Sequence, residues 1–151
     1  MGKKHVLTVP GRYDQIKNIV QFVANGASQA GLDEDAVFHV ELCCDEACTN
    51  IIEHAYGGED EGNIVVSYET VTDTFQITIH DNGRTFNPAS VPPPAFEMAP
   101  MPPDASPDDY IDQLKIGGLG IHFMRKLMDE VHFDFDPATG NTLVMIKKFP
   151  S

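Results

Sequence analysis

The chain is poor in three things: long apolar runs, basic side chains, and cysteine outside one short stretch. No apolar run approaches the ~20 residues that would cross a bilayer. The segment Met1-Gly-Lys-Lys-His5 leads into a short alternating stretch and lacks the apolar core of a signal peptide. Gly2 is not followed by the Ser or Thr that a myristoylation signal places downstream. A cytoplasmic protein without a membrane partner is expected. Ten Lys and Arg stand against 23 Asp and Glu, a formal net charge of −13. That balance argues against direct contact with nucleic acid or an anionic membrane, because phosphate binding needs a basic face. It favours a partner with a basic surface, although acidity also serves solubility alone. The three cysteines, Cys43, Cys44 and Cys48, fall within one segment. They cannot make a disulfide framework and lack the spacing of a zinc site. They read as small buried hydrophobes with reduced thiols, consistent with a cytoplasmic address.

What is present suffices for one domain. At 151 residues and 42% hydrophobic content, residues 1–151 can bury a core without staples. His5 to Val9 alternates weakly and stops at Pro10-Gly11, which reads as an edge strand and a turn. Ile16, Ile19, Val20, Val23, Ala27 and Ala30 recur at helical spacing, and Gly31 ends the run. Asp33 is a good N-cap for a second helix carrying Val37, Val40, Cys44, Ala47, Cys48 and Ile51, expected to run to Gly57-Gly58. Asn63–Thr70 and Phe75–His80 alternate as a hairpin turning near Thr72-Asp73. Leu119–Glu130 reads as a helix with Met124, Leu127 and Met128 inward. Val131–Phe135 and Thr142–Phe149 read as a second hairpin. Clean alternation in both hairpins means one buried sheet face. The predicted fold class is α+β, a two-layer sandwich with helices grouped on one face of a mostly antiparallel sheet. Residues 88–107 break the pattern, holding eight of the eleven prolines. Such a stretch cannot form a helix or central strand. Its position between two motifs suggests a lid, with a disordered insertion as the alternative.

Three short segments carry chemistry. Glu46 and Asn50 are four apart on the second helix and share a face. A carboxylate beside a nucleotide can take a proton from an attacking hydroxyl, and an amide carbonyl suits Mg²⁺. A solvated polar stripe would look the same. Asp81-Asn82-Gly83 follows a strand: the acid can accept from an exocyclic amino group such as adenine's, and the glycine lets the backbone approach. An ordinary turn has the same sequence. Gly117-Gly118-Leu119-Gly120 precedes a helix and can expose N–H groups to phosphate, or simply serve as a hinge. It is neither a Walker A loop nor a dinucleotide fingerprint.

In combination these segments resemble known boxes. Asp45-Glu46-Ala-x-x-Asn50-x-x-x-His54-Ala-Tyr56 resembles the N box of the GHKL (Bergerat-fold) ATPases. Asp81-x-Gly83-x-x-Phe86 and Gly118-Leu-Gly120 look like their first and second glycine boxes. Asp81 to Pro88 and Gly117 to Val131 are most similar to the small anti-sigma-factor serine kinases of the RsbW and SpoIIAB type. The resemblance implies an ATP site in which Asn50 holds Mg²⁺ and Asp81 reads the adenine amino group. Gly83, Gly118 and Gly120 would line the nucleotide, Glu46 would be the general base, and residues 88–116 would form the lid. It implies a protein serine/threonine kinase. The implied partners are a STAS-domain anti-anti-sigma protein and a sigma factor, and the implied assembly is a homodimer. A module that binds ATP and sequesters its partner without phosphotransfer is the alternative. One departure concerns Gly140-Asn141-Thr142, which stands where relatives often have Gly followed directly by an adenine-binding Thr. Whether Thr142, or Lys115 ahead of the second glycine box, touches the nucleotide is left open by the sequence.

Overall fold

The computed structural model describes residues 3–84 and 120–149, with the backbone alone described for 120–123. The expected lid at 88–116, together with Phe86, Lys115 and Gly118, lies outside the described residues. The order is β1 (His5–Pro10), α1 (Tyr13–Ala30), α2 (Glu34–Asn50), a π-helical turn (Ile51–Ala55), β2 (Asn63–Val71), β3 (Thr74–Asp81), α3 (Gly120–Leu127), β4 (Glu130–Asp136) and β5 (Gly140–Lys148). The strands form one sheet in the order β1-β2-β3-β5-β4. Every neighbouring pair is antiparallel. This is the expected α+β architecture, with β1 at an edge as anticipated.

Local signals set the helix ends. Asp33 accepts the Ala36 N–H at 2.8 Å and caps α2. Gly31 closes α1 at φ 107, a left-handed conformation that a side chain would resist. Ile16, Ile19, Val23 and Ala27 turn into the core, as do Val40, Cys43, Cys44, Ala47 and Cys48 of α2. They meet Ile64 and Val66 of β2, Phe75, Ile77 and Ile79 of β3, and Leu143 and Met145 of β5. The cysteines are free and buried. Burial pushes the Cys43 thiol up to about 12 and raises Cys44 and Cys48 as well, so all three stay protonated and inert. Gly26 leaves room for the Tyr68 ring, which a methyl group there would strike. Tyr68 in turn stacks on His5 with ring centres 4.9 Å apart. None of the described helices is long and apolar enough to cross a membrane.

The second helix departs from expectation. Regular α-helix ends at Asn50, and Ile51–Ala55 widens into a π turn closed by the Tyr56 N–H on the Ile51 carbonyl at 2.9 Å. The end of this turn is tied to the neighbouring loop. Arg84 donates its backbone N–H to the Ala55 carbonyl at 2.9 Å and its Nε–H to the His54 carbonyl at 2.8 Å. Arg84 thus satisfies the last two carbonyls of the turn, where the helix stops. Such single π turns recur at functional sites.

Candidate functional site

The ends of α2, β3 and β5 converge on a pocket, and α3 and β4 complete its wall. Its apolar lining comes from Ile79, Met124, Phe133 and Phe135 among others, and its polar residues are Asn50, Asp81, Asn141 and Thr142. Phe133 and Phe135 alternate onto the same side of β4 and stack with ring centres 5.7 Å apart. Arg125 of α3 lies over Phe133, 5.8 Å from the ring centre. Lys147 of β5 donates to the Leu127 carbonyl at 2.6 Å, tying the C-terminal end of α3 to the sheet.

Asp81 is the last residue of β3 and faces the helix layer, only 2% exposed. Its Oδ1 accepts the Gly83 N–H at 2.8 Å and an Asn141 Nδ2–H at 2.9 Å. Burial raises its carboxyl above the usual range, and those two donors with His80 pull it partly back. Gly83 is needed where it stands, because a Cβ there would lie 2.6 Å from the Ala55 carbonyl oxygen. Tyr56 braces the same loop. Its hydroxyl accepts the Asn82 N–H at 3.0 Å and donates to the Asn63 carbonyl.

The structure brings Asn50 and Asp81 to one pocket. Glu46 sits one turn earlier on α2, about 6 Å along the axis. It is 7% exposed and is not part of the pocket lining. Gly120 opens α3, whose middle carries the pocket residue Met124. Gly118 is outside the described residues.

Thr142, left open by the sequence, points its hydroxyl elsewhere. Its Oγ1 lies 2.9 Å from His80 Nδ1, on the sheet face away from the helices. The residue missed by sequence reasoning is Asn141. It pairs directly with Asp81 across β3 and β5, so the two side chains share the inner face. It is 4% exposed, and its Nδ2 also faces the Arg84 carbonyl at 3.1 Å. The signal was present in the spacing: Asn141 follows Gly140, where the motif expects its polar residue.

A two-layer α+β sandwich, with an acid and an amide at the floor of a largely apolar pocket and a second amide at a helix end, defines a class of nucleotide-binding domain. The chain belongs to the histidine kinase-like ATPase domain family, whose model matches residues 9–147. Its relatives include the serine-protein kinase RsbW of Bacillus licheniformis, 34% identical over 131 residues that cover 85% of this chain and 76% of that one. RsbW of Listeria monocytogenes is 30% identical over 147 residues, 97% of this chain and 88% of the relative. The fold is shared with the crystal structure of the RsbU and RsbW domains of Rv1364c from Mycobacterium tuberculosis. That match has a TM-score of 0.62 at 12% identity and spans 97% of this chain but only 32% of the larger one. The resemblance to anti-sigma serine kinases carried by the three motifs thus extends over nearly the whole sequence.

Proposed function

We propose that this chain is an ATP-dependent protein serine/threonine kinase of an anti-sigma partner-switching circuit. The observation that carries the reading is the junction of Asp81 with the end of α2: a buried acid for the base and Asn50 for the phosphate side, in one pocket. The RsbW relatives support the kinase class. The groups present fit the nucleotide. The apolar wall suits a purine ring, and the buried Asn141 Oδ1 has no hydrogen-bond partner, as expected of an acceptor reserved for a ligand.

In this reading Asn50 would hold Mg²⁺ through its amide oxygen, and the ion when bound would supply neutralising charge to the phosphates. Gly83 lets the loop approach the base, Gly120 presents its backbone N–H to phosphate at the start of α3, and Gly118, two residues earlier in sequence, is assigned to the nucleotide by the resemblance alone. A serine or threonine oxygen of the partner attacks the γ-phosphorus as its proton passes to the Glu46 carboxylate. The bond from phosphorus to the β–γ bridging oxygen breaks, and ADP leaves. The phosphorylated partner is a STAS-domain anti-anti-sigma protein, the sequestered one is a sigma factor, and the kinase is a cytoplasmic homodimer.

A second reading, ATP-gated sequestration without transfer, draws on one observation: Glu46 is buried and not part of the pocket lining. Transfer of labelled phosphate from ATP to a STAS partner separates the two. Label on a partner serine or threonine that disappears in Glu46→Gln, with ATP binding retained, supports the kinase. Tight ATP binding and partner capture with no label at any time would establish the module.

A further inference from the structure

The floor of the pocket contains a polarity pattern that the motifs alone do not specify. Asn141 Nδ2 lies 2.9 Å from Asp81 Oδ1, 3.1 Å from the Arg84 carbonyl and 3.4 Å from the Gly83 carbonyl. Three acceptors surround that atom, so it must be the amino end of the amide. The carbonyl end, Oδ1, is thereby fixed in the opposite direction, buried and unpartnered. Both described bonds of Asp81 also fall on its Oδ1. The side chains at this end of the pocket therefore present acceptors: the Asp81 carboxylate and the Asn141 amide oxygen. A buried acceptor left unmatched is costly, so the pattern selects its ligand.

We infer that Asn141 is a specificity-determining residue that reads the second hydrogen of the purine 6-amino group, Asp81 reading the first. This rests on the nucleotide reading above and deepens it. A base with a carbonyl at position 6 would turn an acceptor toward two acceptors and be rejected. The network that makes Asn141 selective is local: Gly83 and Arg84 supply the carbonyls that hold the amide in one orientation. A hydroxyl at this position could rotate to donate or accept, whereas this amide cannot.

The test is equilibrium binding of ATP, ITP and N6-methyl-ATP to the full chain, wild type and Asn141→Thr, with melting temperature as a check on folding. The wild type should prefer ATP to ITP by roughly a thousandfold. It should also bind N6-methyl-ATP at least about tenfold more weakly than ATP, since one amino hydrogen is gone. Asn141→Thr should lower the ATP-to-ITP ratio about tenfold or more, because the hydroxyl can donate to the 6-oxygen. An amide that only braced Asp81 would lower affinity for both nucleotides and leave the ratio alone, and that result overturns the inference. So does equal wild-type affinity for ATP and N6-methyl-ATP, which is decisive even if the variant fails to fold. Failure of the wild type to bind either ATP or ITP would instead overturn the nucleotide reading itself.

Discussion

The two ends of the pocket are built differently. The base end lies in the sheet, where Asp81 and Asn141 are direct partners on neighbouring strands and three backbone groups of the Asp81–Arg84 turn hold them. The phosphate end lies on α2, where Asn50 is the last α-helical residue before a π turn and Glu46 is a turn behind it. A sheet register holds side chains across a ladder of hydrogen bonds. A helix end holds them only through whatever ties that end down, here Arg84 on the His54 and Ala55 carbonyls. The proposed function thus places recognition on the stiffer element and chemistry on the one that can adjust, and Arg84 touches both.

Glu46→Gln should separate the ends most sharply. Phosphotransfer is expected to fall by about 10²–10⁴-fold while ATP affinity stays within a few-fold, read by single-turnover transfer and calorimetry. Near wild-type transfer would remove Glu46 from the role of base. Asp81→Asn should act on the other end, weakening ATP by roughly a hundredfold, since it puts an amide N–H where an acceptor is needed. An unchanged Kd would dissolve the base-reading floor. Asn50→Ala should lower ATP affinity in Mg²⁺ about tenfold or more and leave the metal-free affinity nearly as it was. Equal losses with and without Mg²⁺ would move Asn50 out of the metal's reach.

Gly83→Ala tests the joint between the two ends. Its methyl carbon would lie 2.6 Å from the Ala55 carbonyl oxygen, so a loss of about 1–3 kcal/mol is expected in urea unfolding. A variant as stable as wild type would show that the π turn gives way freely. The smallest effect concerns pH. Burial raises the Asp81 carboxyl in the folded protein, so the folded state holds that proton more tightly than the unfolded chain does. This contribution to stability is full below the ordinary carboxylate pKa and is lost as pH rises through the raised value. In the proposed function ATP binds the ionised form. Its affinity should therefore decline on acidification from somewhat above the ordinary carboxylate range, with proton release on binding near that pH. Affinity flat down to the ordinary carboxylate range would show Asp81 unperturbed.

Much of this was legible in the sequence because it is local. The Asp33 cap, the Gly31 stop and the helical stripes are decided within a turn or two of chain. So are the alternating strands, and each hairpin's turn is written in its own residues. The expectation of an α-helix to Gly57-Gly58 held only to Asn50, and the donor that satisfies the carbonyls at the end of the following turn is Arg84, some 30 residues away in sequence. Thr142 and Asn141 could not be told apart for a related reason. Adjacent residues of a strand lie on opposite faces, and choosing between them requires the register.

The sequence by itself determined the elements, their order and three of the polar residues at issue, Glu46, Asn50 and Asp81, since helical and strand periodicities and capping are short-range. It also determined the family, through boxes spread along the chain. Only the tertiary structure decided that β5, rather than β4, lies beside β3. Either strand of the second hairpin alternates well enough to join there, and the choice depends on burying both hairpins under the same helices. That choice pairs Asp81 with Asn141 and sends Thr142 to His80 on the far face. The selectivity inferred for the pocket therefore comes from a one-residue register in the sheet, set by packing on a helix layer that no single segment encodes.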